Sequence, residues 1–220
     1  MPVLTILYMS KFEISNQLYH QFLDDPENKD NPELQIDTSQ WLKKEHYSAV
    51  HAQFYHSSGS FKDYPVVNIS YKAAELFCKW LTSQYKKVKK RKFKRVYFRL
   101  PTEEEWIIAA RGRNKESIYG WVGNEIIDKN GRPKGNYYNE TDTEQNTNLL
   151  KPVNSFQSND YGMYNMSGNV SEMVQNAKIV KGGDWMHGYE YCKISPMISW
   201  DGSPKPYIGF RVAMIVLEKN

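Results

Sequence analysis

The chain has 220 residues, with 29 Lys and Arg against 25 Asp and Glu, a net charge of +4. That length suits one domain burying about 70% of the surface its unfolded chain exposes, so a disulfide framework is not required. The near balance of charge argues against a protein that is polyanion-binding or acidic as a whole.

The residues from Met1 to Lys11 lack the basic start, apolar centre and small-residue cleavage site of a signal peptide, and no apolar run reaches the ~18 residues of a membrane span. The expectation is a soluble chain, periplasmic or envelope-associated if the N-terminus is incomplete and cytoplasmic otherwise. From Val3 to Ser15 the pattern is strand-like, and Ser15 can cap a helix carrying Leu18, Phe22 and Leu23 at helical spacing. Residues 24–60 are rich in acids, prolines and polar groups and predict a solvated insertion. Within it His46, His51 and His56 stand five apart, a step that turns a helix by about 140°, so packing or surface histidines are expected rather than zinc ligands. After "YPVVNI" comes the firmest helix, capped by Ser70, with Ala73, Leu76, Phe77, Trp80 and Leu81 in one stripe and Cys78 beside it as a small core residue.

The run "KKVKKRKFKR", Lys86 to Arg95, carries eight positive charges where this helix should give way to the strand "VYFRL". It suits the negative end of the helix dipole, and it leaves open an anionic-surface or nucleic-acid binder. Next, Thr102 and Glu105 have the spacing of a capping box, Gly112 that of a helix stop, and Trp106, Ile107 and Ala110 an inward face. Residues 118–157 read as loop. Strands return at "KIVKGG" and "IGFRVAMIV". The whole reads as one α+β domain with two firm helices, a few short strands and many loops.

Five landmarks stand in fixed order: "YPVVNISYKAAELFCKWL", "RLPTEEEWIIAARG", "NDYGMYNMSGNVSEM", "KGGDWM" and "IGFRVA". Together they resemble the formylglycine-generating enzyme family, the sulfatase-modifying factor domain. The resemblance implies a C-type-lectin-like α+β fold with little regular secondary structure, spanning residues 1–220 as a single domain. The family's usual opening strand, with its "GTFxMG", is not found. Oxidases of this family hold copper(I) between two cysteines five apart, just after the glycine pair. Here the second position is Cys192 and the first is His187, while the family's serine after the glycines is Asp184. An imidazole does not reproduce a two-thiolate copper(I) site, so copper is not expected, no catalytic residue is assigned, and an oxidase would have to work through Cys192, alone or with His187.

The same resemblance implies calcium, held by Asn165, by carbonyls of Gly168 and Val170, and by Glu172, the oxygen mix that calcium requires. A second, weaker calcium site would use Asn136 and Tyr137, with an acidic partner in the residues that follow. Met173 replaces the family's tryptophan. The composition and the segments "FYHSSGSFKDYPVV" and "WDGSPKPYIGFRV" resemble the gliding-motility and type IX secretion lipoproteins of the family, which lack the cysteine pair and serve as scaffolds. The reading is a non-catalytic, calcium-stabilised binding or scaffold module of bacterial envelope machinery. Its degenerate substrate groove, Asp184, Trp185, His187, Tyr189, Cys192 and Trp200, would face a protein, peptide or glycan partner. The alternatives are a formylglycine-generating-type oxidase acting on a peptide cysteine, and a binder of anionic surfaces or nucleic acid through Lys86 to Arg95.

Overall fold

The computed structural model describes residues 6–139 and 150–220, without the side chain of His46. Strand β1 (Ile6–Met9) leads to α1 (Asn16–Leu23), capped by Ser15 Oγ, which accepts from Leu18 N at 3.3 Å. The polar segment that follows contains three 3₁₀ turns and the short helix α2 (Ala49–Phe54). Then come α3 (Tyr71–Lys87), β2 (Phe93–Arg99) and α4 (Glu103–Arg111). The described residues between α4 and β3 are irregular, and the chain then forms β3 (Ser171–Met173), β4 (Ile179–Lys181), β5 (Ile198–Ser199), β6 (Ile208–Phe210) and β7 (Ala213–Lys219).

Both firm helices start where the sequence places their caps. Ser70 Oγ accepts from Ala73 N at 3.1 Å. Thr102 and Glu105 form the reciprocal capping box at 3.2 and 2.8 Å, and Gly112 closes α4. The inward stripe of α3 buries Ala73 and Phe77 against Tyr19, Phe22 and Phe210, and Cys78 is buried beside them.

One strand order is β1-β7-β2, antiparallel throughout; the other is β5-β4-β3-β6, in which β3 and β6 run parallel. The expected single strand "IGFRVAMIV" is therefore two strands, one in each sheet, and the chain changes sheets at Arg211 and Val212. The side chain of Arg211 has no solvent exposure, and a guanidinium cannot stay buried without acceptors. It takes five: Nε and Nη2 donate to the two oxygens of Glu172, each at 2.6 Å, Nη2 also to Tyr164 O, and Nη1 to Ser10 O and Lys11 O. Trp106 Nε1 donates to Glu172 Oε2 at 2.7 Å. One ion pair thus joins β1, α4, β3, the irregular stretch and the switch between sheets.

The polar segment is not merely solvated. Leu34, Trp41 and Tyr55 are buried, with Trp41 packing on Tyr55 and on His51. Polar residues dominate the segment by number, but Trp41 and Tyr55 fold it onto Val67, Leu150 and Val170, and Leu34 joins the main core. His51 and His56 serve this packing: His51 Nδ1 meets Ser48 Oγ at 2.6 Å, and His56, buried, meets Asn16 Oδ1 at 3.0 Å. Burial pushes His56 down to about 3, so it is neutral at ordinary pH.

Between α4 and β3, side-chain amides do the work that ladders do elsewhere. Asn159 Nδ2 donates to the last carbonyls of α4, Ala109 and Ala110, while its Oδ1 accepts from Tyr161 and Met163. Among the described residues no helix is long and apolar enough to cross a membrane.

Candidate functional site

β4 is followed by Gly182 and Gly183, at φ of +96° and +68°. A Cβ on Gly183 would stand 2.6 Å from the carbonyl carbon of Tyr191 and 2.7 Å from the nitrogen of Cys192. Only glycine lets the 3₁₀ turn Tyr189–Cys192 close against this strand end.

Asp184 comes next and is buried. Its Oδ1 accepts from the amides of Met186 and His187 at 3.0 and 3.2 Å and lies 2.8 Å from His187 Nδ1; its Oδ2 accepts from Ser171 Oγ at 2.8 Å. Since a carboxylate only accepts, His187 Nδ1 carries the proton and Nε2 is turned away from Asp184. The His187 ring is half-buried between Tyr191 and Tyr207, at centroid distances of 4.9 and 5.3 Å. The hydrogen bond to Asp184 raises its pKa above the ordinary 6.5, against a smaller lowering by burial.

Cys192 points elsewhere. It has no solvent exposure and packs with Tyr119, Trp121 and Tyr137. Burial pushes its thiol well above the usual range, with Asp184 and Glu190 adding to the rise. An enclosed thiol whose pKa is raised is a poor nucleophile. Copper(I) of the two-cysteine kind does not fit: one thiolate is missing, and the other sulfur is sealed in aromatics. Among the described residues no three His, Cys, Asp or Glu gather in a cluster that could hold a metal.

The residues expected to form one groove fall into separate packing clusters. Trp200 belongs to the main core, near Tyr71. Trp185 stacks on Trp41 at 6.3 Å and donates from Nε1 to Pro206 O. What remains at the surface is His187 with Tyr189 and Tyr191, 37% and 48% exposed, joined by Tyr138, whose amide donates to His187 O at 2.9 Å. Tyr138, Tyr191 and Tyr207 were not singled out by sequence; lone tyrosines in loops carry no spacing signal.

Asn165, Gly168, Val170 and Glu172, expected to hold calcium, are all buried. The oxygens of Glu172 accept from Arg211 and Trp106, and the Arg211 guanidinium balances its charge. Asn165 offers a buried acceptor: its Nδ2 donates to Glu13 Oε2 and Val153 O, while its Oδ1 has no partner among the described residues. Beside it Asn169 Nδ2 donates to Glu13 Oε1, and burial pushes Glu13 up to about 8. Gly168, at φ of +88°, lies so close to Asn136 that a Cβ would be 2.6 Å from its carbonyl oxygen. The residues named for the weaker site are engaged in the same knot: Asn136 O accepts from Asn169 N at 2.7 Å, and the Tyr137 hydroxyl donates to Ile126 O. The acidic partner expected for that site falls in 140–149, outside the described residues.

Residues 3–216 match the family model described as sulfatase-modifying factor enzyme 1-like domain. The inactive C-alpha-formylglycine-generating enzyme 2 of Bos taurus is 30% identical over 133 residues, 56% of this chain and 39% of that protein. The formylglycine-generating enzyme of Thermomonospora curvata is 36% identical over 115 residues, 50% of this chain and 32% of that protein. The chain thus matches between about a third and two fifths of the length of these relatives. A solved structure, Treponema denticola variable protein 1, superposes with a TM-score of 0.62 at 17% identity, covering 94% of this chain and 84% of that one, a likeness of fold.

The Asp184–His187 pair sets a pH dependence. A raised folded-state pKa means that the pair's stabilisation is full below about 6.5 and is lost as pH rises through the folded value. An NMR titration should give His187 a midpoint above 6.5, and Asp184→Asn should lower it, leaving burial as the dominant influence. A midpoint unmoved by the substitution would contradict the pairing.

Proposed function

The chain belongs to the sulfatase-modifying factor enzyme 1-like family, and on that premise we propose that it is a non-catalytic member that binds a partner through the face around His187. The observation that carries this reading is the position of the family's two thiols: one is His187, tied to Asp184, and the other is the fully enclosed Cys192. An oxidase needs a metal-bound, substrate-accessible sulfur, and this arrangement offers neither part. The half-exposed His187 with Tyr138, Tyr189 and Tyr191 instead suits recognition of a peptide or glycan, since tyrosines supply broad contact area at small entropic cost and the imidazole a directed hydrogen bond. The scaffold setting of the gliding-motility branch belongs to this proposal too, supported by composition and by the missing cysteine pair.

Calcium is part of the same proposal, in a narrower form than the resemblance implies. Asn165 Oδ1, the buried acceptor without a donor, would hold the ion together with main-chain carbonyls of Gly168 and Val170, and the ion would supply stability to the irregular stretch before β3. With no charged ligand among the three, binding belongs to the weak class of roughly 10⁻⁴–10⁻³ M.

Two arms test the function. With copper(I) and a cysteine-bearing peptide, the protein should take up no oxygen above a blank; turnover would overturn the reading. Peptides selected from a random display library should lose binding about tenfold or more on Tyr191→Ala; selected peptides indifferent to that change would place the partner face elsewhere. For calcium, the melting temperature should rise in millimolar calcium and fall in chelator, and Asn165→Ala should abolish the difference. An unchanged melting point in wild type would remove calcium from the account.

A further inference from the structure

Beyond the His187 face, the three-stranded sheet carries a second surface. Tyr8, Met214 and Phe98 lie opposite one another on β1, β7 and β2 and share a face. With Tyr85 of α3 and Phe93 they line an open, largely apolar cleft of about 410 Å³. Lys92 stands at its rim, with Nζ 5.1 Å above the Tyr8 ring and 5.3 Å above that of Phe93.

The cleft opens beside the basic run. Lys86, Lys87, Lys89, Lys90, Lys92, Lys94 and Arg95 are all exposed, and Val88 in their midst is 47% exposed. Arg91 holds the turn in shape, its guanidinium reaching the carbonyls of Lys86, Val88 and Lys94. Among the described residues only Lys94 of this group is ion-paired, with Glu218.

We infer that this surface docks on an anionic lipid bilayer, with the basic run on the headgroups and the Tyr8 cleft and Val88 reaching the acyl boundary. Complementarity selects that partner. Cations spread over a whole turn exceed what one free fatty acid or lysolipid would engage, whereas a sheet of headgroups meets them all. A nucleic-acid duplex, its bases stacked inside, would answer the charges with its phosphates and leave an apolar cleft and an exposed valine without use. Lysine stems lying along an apolar surface with their ammonium groups at its edge fit an interface of this kind.

The test uses the whole chain with phosphatidylcholine vesicles, with and without phosphatidylglycerol, at several salt concentrations. Sedimentation should show binding only to the phosphatidylglycerol vesicles, weakening with salt. The K89E/K90E double substitution should reduce it about tenfold or more, at unchanged melting temperature. Val88→Asp, at an exposed position, should also weaken it, and a Tyr8→Trp protein should have its fluorescence quenched by lipids brominated on the acyl chain. No binding to anionic vesicles would overturn the inference. So would binding insensitive to Val88→Asp and without acyl quenching, equal binding to duplex DNA, or binding of dispersed fatty acid but not vesicles.

Discussion

The fold depends on one buried ion pair. Arg211 and Glu172 have at most 1% side-chain exposure, a placement that costs several kcal/mol per ion unless every polar atom is matched. Here the matching is close to complete: the guanidinium serves two carboxylate oxygens and three carbonyls, and the indole of Trp106 serves the carboxylate from the far side. Those acceptors lie on segments distant in sequence, so the pair acts as a joint for a chain with little regular structure. The pairs Glu13–Asn165 and Glu13–Asn169 repeat the device alongside it with neutral donors. Together they position β3, and through its pairing with β4 the glycine pair, Asp184 and His187.

The same economy is at work at the end of β4, where we propose that the family's oxidation chemistry is lost. Asp184 brings a buried carboxylate to the strand end, and its four hydrogen bonds turn His187 into a fixed, partly exposed imidazole. That carboxylate also raises the pKa of the neighbouring Cys192. Each change suits the proposed recognition role better than soft-metal chemistry. His187 and Cys192 stand five apart in sequence and face different surroundings, one toward Tyr191 and Tyr207, the other into an aromatic cluster.

Local signals were legible in the sequence, and long-range ones were not. Ser15, Ser70 and Thr102 announce their helices because a cap is a contact within three residues. The apolar stripe of α3 is equally plain. The C-terminal strand was misread as one piece because hydrophobicity runs through it without interruption; what divides it is the demand of Arg211 for acceptors up to about two hundred positions away. Trp41 shows the converse error, since a single buried indole in a polar stretch outweighs its neighbours in packing while hardly changing the composition. The pairing of Glu172 with Arg211 was likewise hidden, because spacing along one segment says nothing of a guanidinium arriving from another.

Urea unfolding of wild type and Glu172→Gln, each in calcium and in chelator, tests this account most directly. Removing one charge of a buried pair should cost about 3–5 kcal/mol in both media, and any increment from calcium should be the same in the two proteins. A loss below about 1 kcal/mol, or a calcium increment present in wild type and absent from Glu172→Gln, would contradict it.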